Sequence, residues 1–169
     1  MSNESQKIER VSDREFLISR TFPAPRLLVW QAWSECTHLQ QWWLPMGWTL
    51  PVCKMDFRVG GVWHYCMKGP DENGNEMESW GRTVFREIVQ PERIVSVDTF
   101  SDAAGNIAEG MPEMVVTVTF TEADGQTTVT SQTEVTIATD LDTLMEMGME
   151  EGMAQAWDKL AEHLAQNQQ

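Results

Sequence analysis

Residues 141–165, LDTLMEMGMEEGMAQAWDKLAEHLA, carry the pattern that decides the fold. Apolar side chains recur there at steps of three and four residues, and acidic side chains fall largely on the other face. This spacing predicts one long amphipathic helix over Leu141–Ala165, with Thr139 or Asp140 at its N-cap. The apolar face of such a helix must be covered, and the rest of the chain has to supply the cover.

The residues before this helix alternate apolar and polar side chains, which predicts β-strands. The strands are expected over residues 15–22, 51–59, 62–68, 77–89, 93–100, 114–120 and 127–137. Two short helices are expected after the first strand, over 26–33 and 37–43, with Ser34 as the cap between them. The predicted fold is therefore α+β, a curved antiparallel sheet wrapped around a long C-terminal helix.

The Gly60-Gly61 pair predicts a hairpin, and its register decides which side chains share a face. A connection with an odd number of residues places the apolar positions of both strands together. We therefore expect one face to carry Cys53, Met55, Phe57, Trp63, Tyr65 and Met67, and the other face to carry Lys54, Asp56, His64 and Cys66. The face of residues 77–89 stays open, because Trp80, Val84 and Ile88 compete with Phe85 and Val89.

Length and composition predict one domain over residues 1–169, with an ordered core at about 13–166 and frayed ends. The chain has 12 Lys and Arg against 26 Asp and Glu, a net charge of -14, so nucleic acid and anionic membrane are not expected partners. The N-terminus is polar, no run is long enough to span a membrane, and the three cysteines show no ligand spacing. A cytoplasmic protein with buried, reduced thiols and no metal or cofactor is expected.

Several short sequence motifs resemble one known superfamily. They are RTFPAPR at 20–26, VWQAW at 29–33, LQQWW at 39–43, MDFRVGGVW at 55–63, EIVQPERI at 87–94 and GMAQAWDKLAEHL at 152–164. In this order they are similar to the helix-grip (START-like, or SRPBCC) superfamily, in the branch named for the activator of heat-shock protein 90 ATPase. The resemblance covers nearly the whole chain. It implies the helix-grip fold, and relatives in the superfamily bind lipids, sterols, hormones or polyketides, some of them catalysing cyclisation.

Gly148 and Gly152 lie four residues apart within the predicted helix and are flanked by methionines. Missing side chains opposite a concave sheet leave room, and methionine adapts to a ligand. Together with the resemblance, this stripe predicts a mostly apolar pocket of a few hundred Å³. Its expected lining is Phe57, Trp63, Tyr65, Val116, Val118, Met145, Gly148, Met149, Gly152 and Met153. Close packing of the helix on the sheet is the alternative.

The first functional hypothesis is a carrier or sensor of a small hydrophobic or aromatic molecule, with a homodimer left open. The second is a cavity enzyme of the cyclase or isomerase type, with Asp56, Arg58, His64 or Tyr65 as donors and no catalytic residue assigned. The third, from the name of the branch, is a chaperone-interacting module that regulates a heat-shock protein 90 type ATPase. Asp56 and Arg58 also suit a structural ion pair beside the glycine turn.

Overall fold

The computed structural model describes residues 6–168 as eight strands and four helices. In chain order the elements are β1 (Lys7–Arg10), β2 (Glu15–Phe22), α1 (Arg26–Ser34), α2 (Cys36–Trp42), β3 (Thr49–Met55), β4 (Val62–Pro70), β5 (Glu76–Val89), β6 (Arg93–Ser101), β7 (Glu113–Ala123), β8 (Gln126–Val135), α3 (Ala138–Glu146) and α4 (Met149–Gln166). The strands form one sheet in the order β1-β2-β8-β7-β6-β5-β4-β3, and every neighbouring pair is antiparallel. The predicted α+β helix-grip architecture is confirmed.

The Gly60-Gly61 hairpin has the expected register. Cys53 aligns with Tyr65 and Met55 with Trp63, so these side chains share the concave face of the sheet. The chain turns through residues 57–61, an odd number, with Gly60 in the left-handed region at φ +83°. A Cβ on Gly61 would lie 2.0 Å from the Asp56 carbonyl oxygen, which explains the second glycine.

Two predicted boundaries in the first half of the chain are wrong. β3 ends at Met55 rather than Val59, so Phe57 lies in the turn and not on the strand. Ser34 does not cap α2; Glu35 holds that position, and the Ser34 hydroxyl donates to the Trp30 carbonyl oxygen at 2.9 Å. The serine hydroxyl is used by the preceding helical turn, which leaves the next helix without a side-chain cap.

The predicted long C-terminal helix is present as α4, but its predicted start at Leu141 is wrong, because the chain breaks into α3 and α4 at Gly148. Gly148 adopts φ +86°, a left-handed conformation that a continuous α-helix excludes. The N-cap of α3 is Ile137, so Thr139 and Asp140 lie inside the first turn instead of capping it. Glycine is the common residue just after a helix end, and at position 148 it has that role.

The ends of the chain differ from the prediction of frayed termini. Lys7–Arg10 forms an edge strand against β2, and Gln168 donates from Nε2 to the Pro23 carbonyl oxygen at 3.0 Å. Residues 1–5 and residue 169, which the same prediction included, lie outside the described residues.

The second half of α4 packs onto β2 and the two short helices. Trp157 lies with its ring centroid 5.8 Å from that of Phe22 and 5.7 Å from that of Trp33. Arg20, on the concave face of β2, is 2% exposed and pairs with Asp158 of α4. The apolar stripe of the sequence is therefore buried over this part of the helix, as its spacing predicted.

The cysteines are not three free thiols. Cys36 of α2 and Cys53 of β3 form a disulfide, and Cys66 is free and buried. The prediction failed because the two partners are 17 residues apart, in different elements, and only the fold brings their Cα atoms to 5.9 Å. Over residues 6–168, no helix combines the length and the apolar character needed to cross a membrane.

Candidate functional site

The concave face of the sheet carries a polar patch on β5 and β6. In one row across the strands, Asp98 of β6 aligns with Thr83 of β5 on one side and Met114 of β7 on the other. Thr83 aligns in turn with Trp63, and Ser96 lies two residues from Asp98 on the same face. The patch thus places a carboxyl and two hydroxyls among apolar side chains, on the face that the helices cover.

Asp98 is the ionisable group of this patch. Its Oδ1 accepts hydrogen bonds from the Thr83 hydroxyl at 2.8 Å and the Ser96 hydroxyl at 3.4 Å. Burial raises the pKa of Asp98 to about 6, although the hydrogen bonds from the two hydroxyls lower it. The residue is nevertheless partly exposed. A carboxyl with this pKa changes its charge close to neutral pH.

Tyr65 lies one row further along β4, in contact with two tryptophans. Its ring centroid is 4.4 Å from that of Trp63 and 5.0 Å from that of Trp43. Gly81 faces it on β5, where a Cβ would come within 2.4 Å of the phenol oxygen. Burial, and to a lesser degree the charge of Asp98, raises the pKa of Tyr65, so the phenol stays protonated. Glycine at position 81 therefore makes room for a phenol group that can donate a hydrogen bond.

The packing over the concave face is uneven. Val118 and Val129 are buried, yet Met114 and Val116 on the same face of the sheet remain partly exposed. Three methionines of the covering helices are partly exposed in the same way, Met145, Met149 and Met153. All five partly exposed residues pack against the core cluster. Because all six are partly exposed and lie on the concave face or on the helices that cover it, we call these five residues together with Asp98 the methionine groove.

The structure brings together only some of the residues predicted to line a pocket. Trp63 and Tyr65 are adjacent, and Val116 lies beside the buried Val118 on β7. Phe57 lies in the turn, and its ring packs against Phe85 at 5.0 Å and Trp30 at 5.9 Å.

The two glycines do not lie together on one face of a continuous helix, as the sequence predicts. Gly148 is exposed, and its conformation rather than a cavity explains the missing side chain. Gly152 faces the loop after α2, since a Cβ there would lie 3.8 Å from Pro45 Cγ, and not the strands as expected. A periodic pattern assigns residues to a helix face only while the helix is continuous, and this helix ends before Gly148.

Two open clefts lie away from the methionine groove. One, of about 300 Å³, is lined by Gly47, Thr49, Lys68, Gly69, Pro70, Gly74 and Glu76. The other, of about 130 Å³, is lined by Gln41, Lys159, Glu162, His163 and Gln166. None of the ten residues predicted to line a pocket borders either cleft.

Three of the four donors named for an enzyme lie outside the concave face. Arg58 donates from Nε to Asp56 Oδ2 at 2.7 Å, and both side chains are more than half exposed, which fits the structural ion pair. His64 lies on the outer face, where it stacks on Trp80 at 5.0 Å and its Nε2 lies 3.0 Å from the Asp102 carbonyl oxygen. Tyr65 alone of the four faces the helices.

Asp98 is the site residue that the sequence analysis missed. Its strand alternates Ile94, Ser96, Asp98 and Phe100 with Val95, Val97 and Thr99, so the outward set is the more apolar one. The register of β6 against β7 identifies it, because Asp98 aligns with Met114, which shares a face with Val116 and Val118, two residues predicted to line the pocket. Over residues 6–168, no three His, Cys, Asp or Glu side chains are grouped so that they could hold a metal ion.

Comparison with solved structures finds the same fold over nearly the whole chain. A protein from Arthrobacter aurescens, solved by NMR, has a TM-score of 0.83 and 28% identity, covering 95% of this chain and 91% of the other. A Staphylococcus epidermidis protein has a TM-score of 0.81 and 27% identity, covering 95% and 94%. A Mycobacterium smegmatis protein has a TM-score of 0.83 and 25% identity, covering 94% and 95%.

Comparison with curated proteins finds no significant match. Residues 23–165 match the family described as Activator of Hsp90 ATPase homolog 1-like protein. That range includes α1, α2, the strands from β3 to β8, α3 and nearly all of α4. The match agrees with the motifs of the sequence and with the helix-grip fold. The chain therefore belongs to the Activator of Hsp90 ATPase homolog 1-like family.

Proposed function

We propose that the protein binds a small hydrophobic or aromatic molecule between the concave face of the sheet and helices α3 and α4, as a carrier or sensor. The observation that supports this is the uneven packing of the methionine groove. Met114 and Val116 stay partly exposed on a face whose neighbours Val118 and Val129 are buried. Apolar side chains that the helices leave incompletely covered gain from burial against a ligand.

The groove adapts by moving methionine side chains. Met145 belongs to α3, whereas Met149 and Met153 belong to α4. Gly148, in the left-handed conformation, lies between the two helices. Unbranched thioether side chains change rotamer at little cost and fill irregular space. A ligand therefore enters by displacing methionines, and the volume available to it depends on where α3 lies.

The binding experiment uses Nile red, a neutral dye whose emission rises and shifts to shorter wavelength in apolar surroundings. Val116→Trp places a large ring in the groove and should abolish the saturable change seen with the wild-type protein. Val115→Trp is the matched control, because Val115 lies on the opposite face of β7, aligned with the exposed Glu134. It should bind the dye as the wild type does.

The proposal is contradicted if the wild type shows no saturable change, or if Val116→Trp binds as the wild type does while its circular dichroism is native. Native mass spectrometry of the freshly purified protein provides a second measurement. A retained small molecule, absent from Val116→Trp, would identify the ligand directly.

We also propose that the protein is located in the cytoplasm. The sequence argument for it relied on unpaired cysteines, and the Cys36–Cys53 disulfide removes that support. The net charge of -14 still favours a protein that stays away from anionic surfaces. Cell fractionation, with alkylation of free thiols before lysis, tests the location and the state of the pair together.

A further inference from the structure

We propose that the ligand of the methionine groove carries a cationic amine, which pairs with the carboxylate of Asp98. This inference rests on the proposed function and specifies the chemical class of the ligand. The apolar part of the molecule would lie against the methionines, and its amine would reach the polar patch of the sheet.

The hydrogen bonds of Asp98 leave one of its oxygens available. The hydroxyls of Thr83 and Ser96 both donate to Oδ1. Within residues 6–168, no hydrogen bond or ion pair is made to Oδ2. The hydrogen bonds to Oδ1 restrict rotation of the carboxyl. Among the described residues no fully buried side-chain oxygen lacks a partner, so the unpartnered Oδ2 is accessible.

No cation of the described chain compensates Asp98. The side chains next to it on the concave face are Thr83, Ser96, Phe100, Met114 and Tyr65, none of which carries a positive charge. Arg20 shares the concave face, but it aligns with Val129, whereas Met114 beside Asp98 aligns with Val135. The row of Arg20 is therefore six residues, or about 20 Å, along the strands from the row of Asp98.

Charge decides between an amine and other polar groups. Because the pKa of Asp98 is about 6, the carboxyl is mostly ionised at pH 7.5. An ionised carboxylate repels an acid, accepts one hydrogen bond from an alcohol and forms a charge-assisted hydrogen bond with an ammonium group, which is the strongest of the three. The acidic side chains Glu146 and Glu150 on the covering helices are exposed and add attraction for a cation.

The test compares three probes that share one ring system: 2-naphthylmethylamine, 2-naphthylmethanol and 2-naphthoate. Binding is measured by calorimetry at pH 7.5 in 150 mM salt, which screens the general attraction of an acidic protein for cations. The wild type should bind the amine at least about tenfold more tightly than the alcohol, and the carboxylate least. Asp98→Asn should remove the preference for the amine, so that the amine and the alcohol bind with similar affinities.

Glu134→Gln is the matched control, because it removes one negative charge from the outer face of the same sheet. It should keep the full preference for the amine. If Asp98→Asn and Glu134→Gln reduce amine binding equally, general charge explains the preference and the inference is wrong.

Two further outcomes separate this inference from the proposed function. Equal binding of amine and alcohol by the wild type, with Nile red still bound, overturns the amine class and leaves the groove as a binding site. Absence of all binding, including that of Nile red, overturns both proposals.

Discussion

Arg20 and Asp158 join the sheet to α4 through a hydrogen bond of 2.7 Å between Nη1 and Oδ1. The arginine side chain is 2% exposed and that of the aspartate is 43% exposed, so the pair connects the core to the surface. The guanidinium also donates to Gln6 Oε1 at 3.0 Å and lies 5.3 Å from the centroid of the Phe22 ring. The pair thus holds the second half of α4 on β2, away from the methionine groove.

Removing the acid should cost stability, because it leaves a buried guanidinium without its charged partner. Asp158→Ala should lower the free energy of unfolding by about 2–4 kcal/mol, less than for a fully buried pair since water reaches the aspartate. Asp142→Ala is the control: its pair with Arg10 has the same 2.7 Å distance but is exposed, so the loss should stay below about 1 kcal/mol. Urea unfolding measures both, and equal losses would contradict the distinction.

The Cys36–Cys53 disulfide should stabilise the attachment of α2 to β3. Closing a loop of 17 residues restricts the unfolded chain, and a reductant should lower the free energy of unfolding by about 3 kcal/mol. The Cys36→Ala, Cys53→Ala double variant should be insensitive to the reductant. Thiol titration of the urea-unfolded wild type without reductant should find one free thiol, that of Cys66. Three reactive thiols would show that the pair is not oxidised.

The two glycines of the C-terminal region should respond in opposite directions to alanine. Gly148→Ala forces a side chain into the left-handed region and should destabilise by roughly 1–2 kcal/mol. Gly152→Ala lies within α4 with only an ordinary contact to Pro45 and should stabilise by up to about 1 kcal/mol. Thermal unfolding of the two variants checks this. A stabilising Gly148→Ala would indicate a continuous helix through residue 148.

The Asp98 carboxyl should make the protein more stable as the pH falls from about 7 to about 5. Its pKa in the folded protein is about 6, above the ordinary 3.8, so the folded state binds the proton more readily. The contribution is complete below pH 3.8 and is lost as the pH rises through 6. Tyr65, the titratable group that faces Asp98, stays protonated over this range. On the covering helices, Met145, Met149 and Met153 are uncharged, and the acidic Glu146 and Glu150 are exposed to solvent.

Asp98→Asn should remove this pH dependence and be more stable than the wild type above pH 7 by between about 1 and 3 kcal/mol. The difference in unfolding free energy between the two proteins, measured by urea titration from pH 4.5 to 8, isolates the one carboxyl from the others. A difference that does not vary with pH would refute the assignment. Glu134→Gln should show no such variation.

The order of the elements from β2 to β8 and the hairpin register followed from alternation and turn residues, because both are local. The face of β5 could not be assigned in the same way. A register shift between Phe85 and Glu87 lets Phe85 and then Ile88 turn inward on one strand, while Trp80 points outward. The alternation that includes Phe85 is correct before the bulge, and the one that includes Ile88 is correct after it. The sequence does not reveal the bulge, because a bulge has no side-chain pattern of its own.

Much of the candidate site depends on contacts between distant parts of the chain. Tyr65 was found because its strand alternates clearly, whereas Asp98 lies on a strand whose outward residues are the more apolar. The disulfide was missed because only the folded chain brings α2 beside β3. Gly148 was misassigned because one residue interrupts a pattern that continues on both sides of it.

The two margins of the sheet limit how copies of this protein can meet. At one margin β1 has only four residues, and Lys7, Glu9 and Arg10 are exposed. At the other, β3 is irregular between Thr49 and Val52, and Pro51 within it has no amide hydrogen to offer a neighbouring strand. Short, charged or proline-containing edges resist the addition of further strands. A homodimer would consequently use the helices or the outer face of the sheet. Edge-to-edge pairing of sheets into fibres is disfavoured.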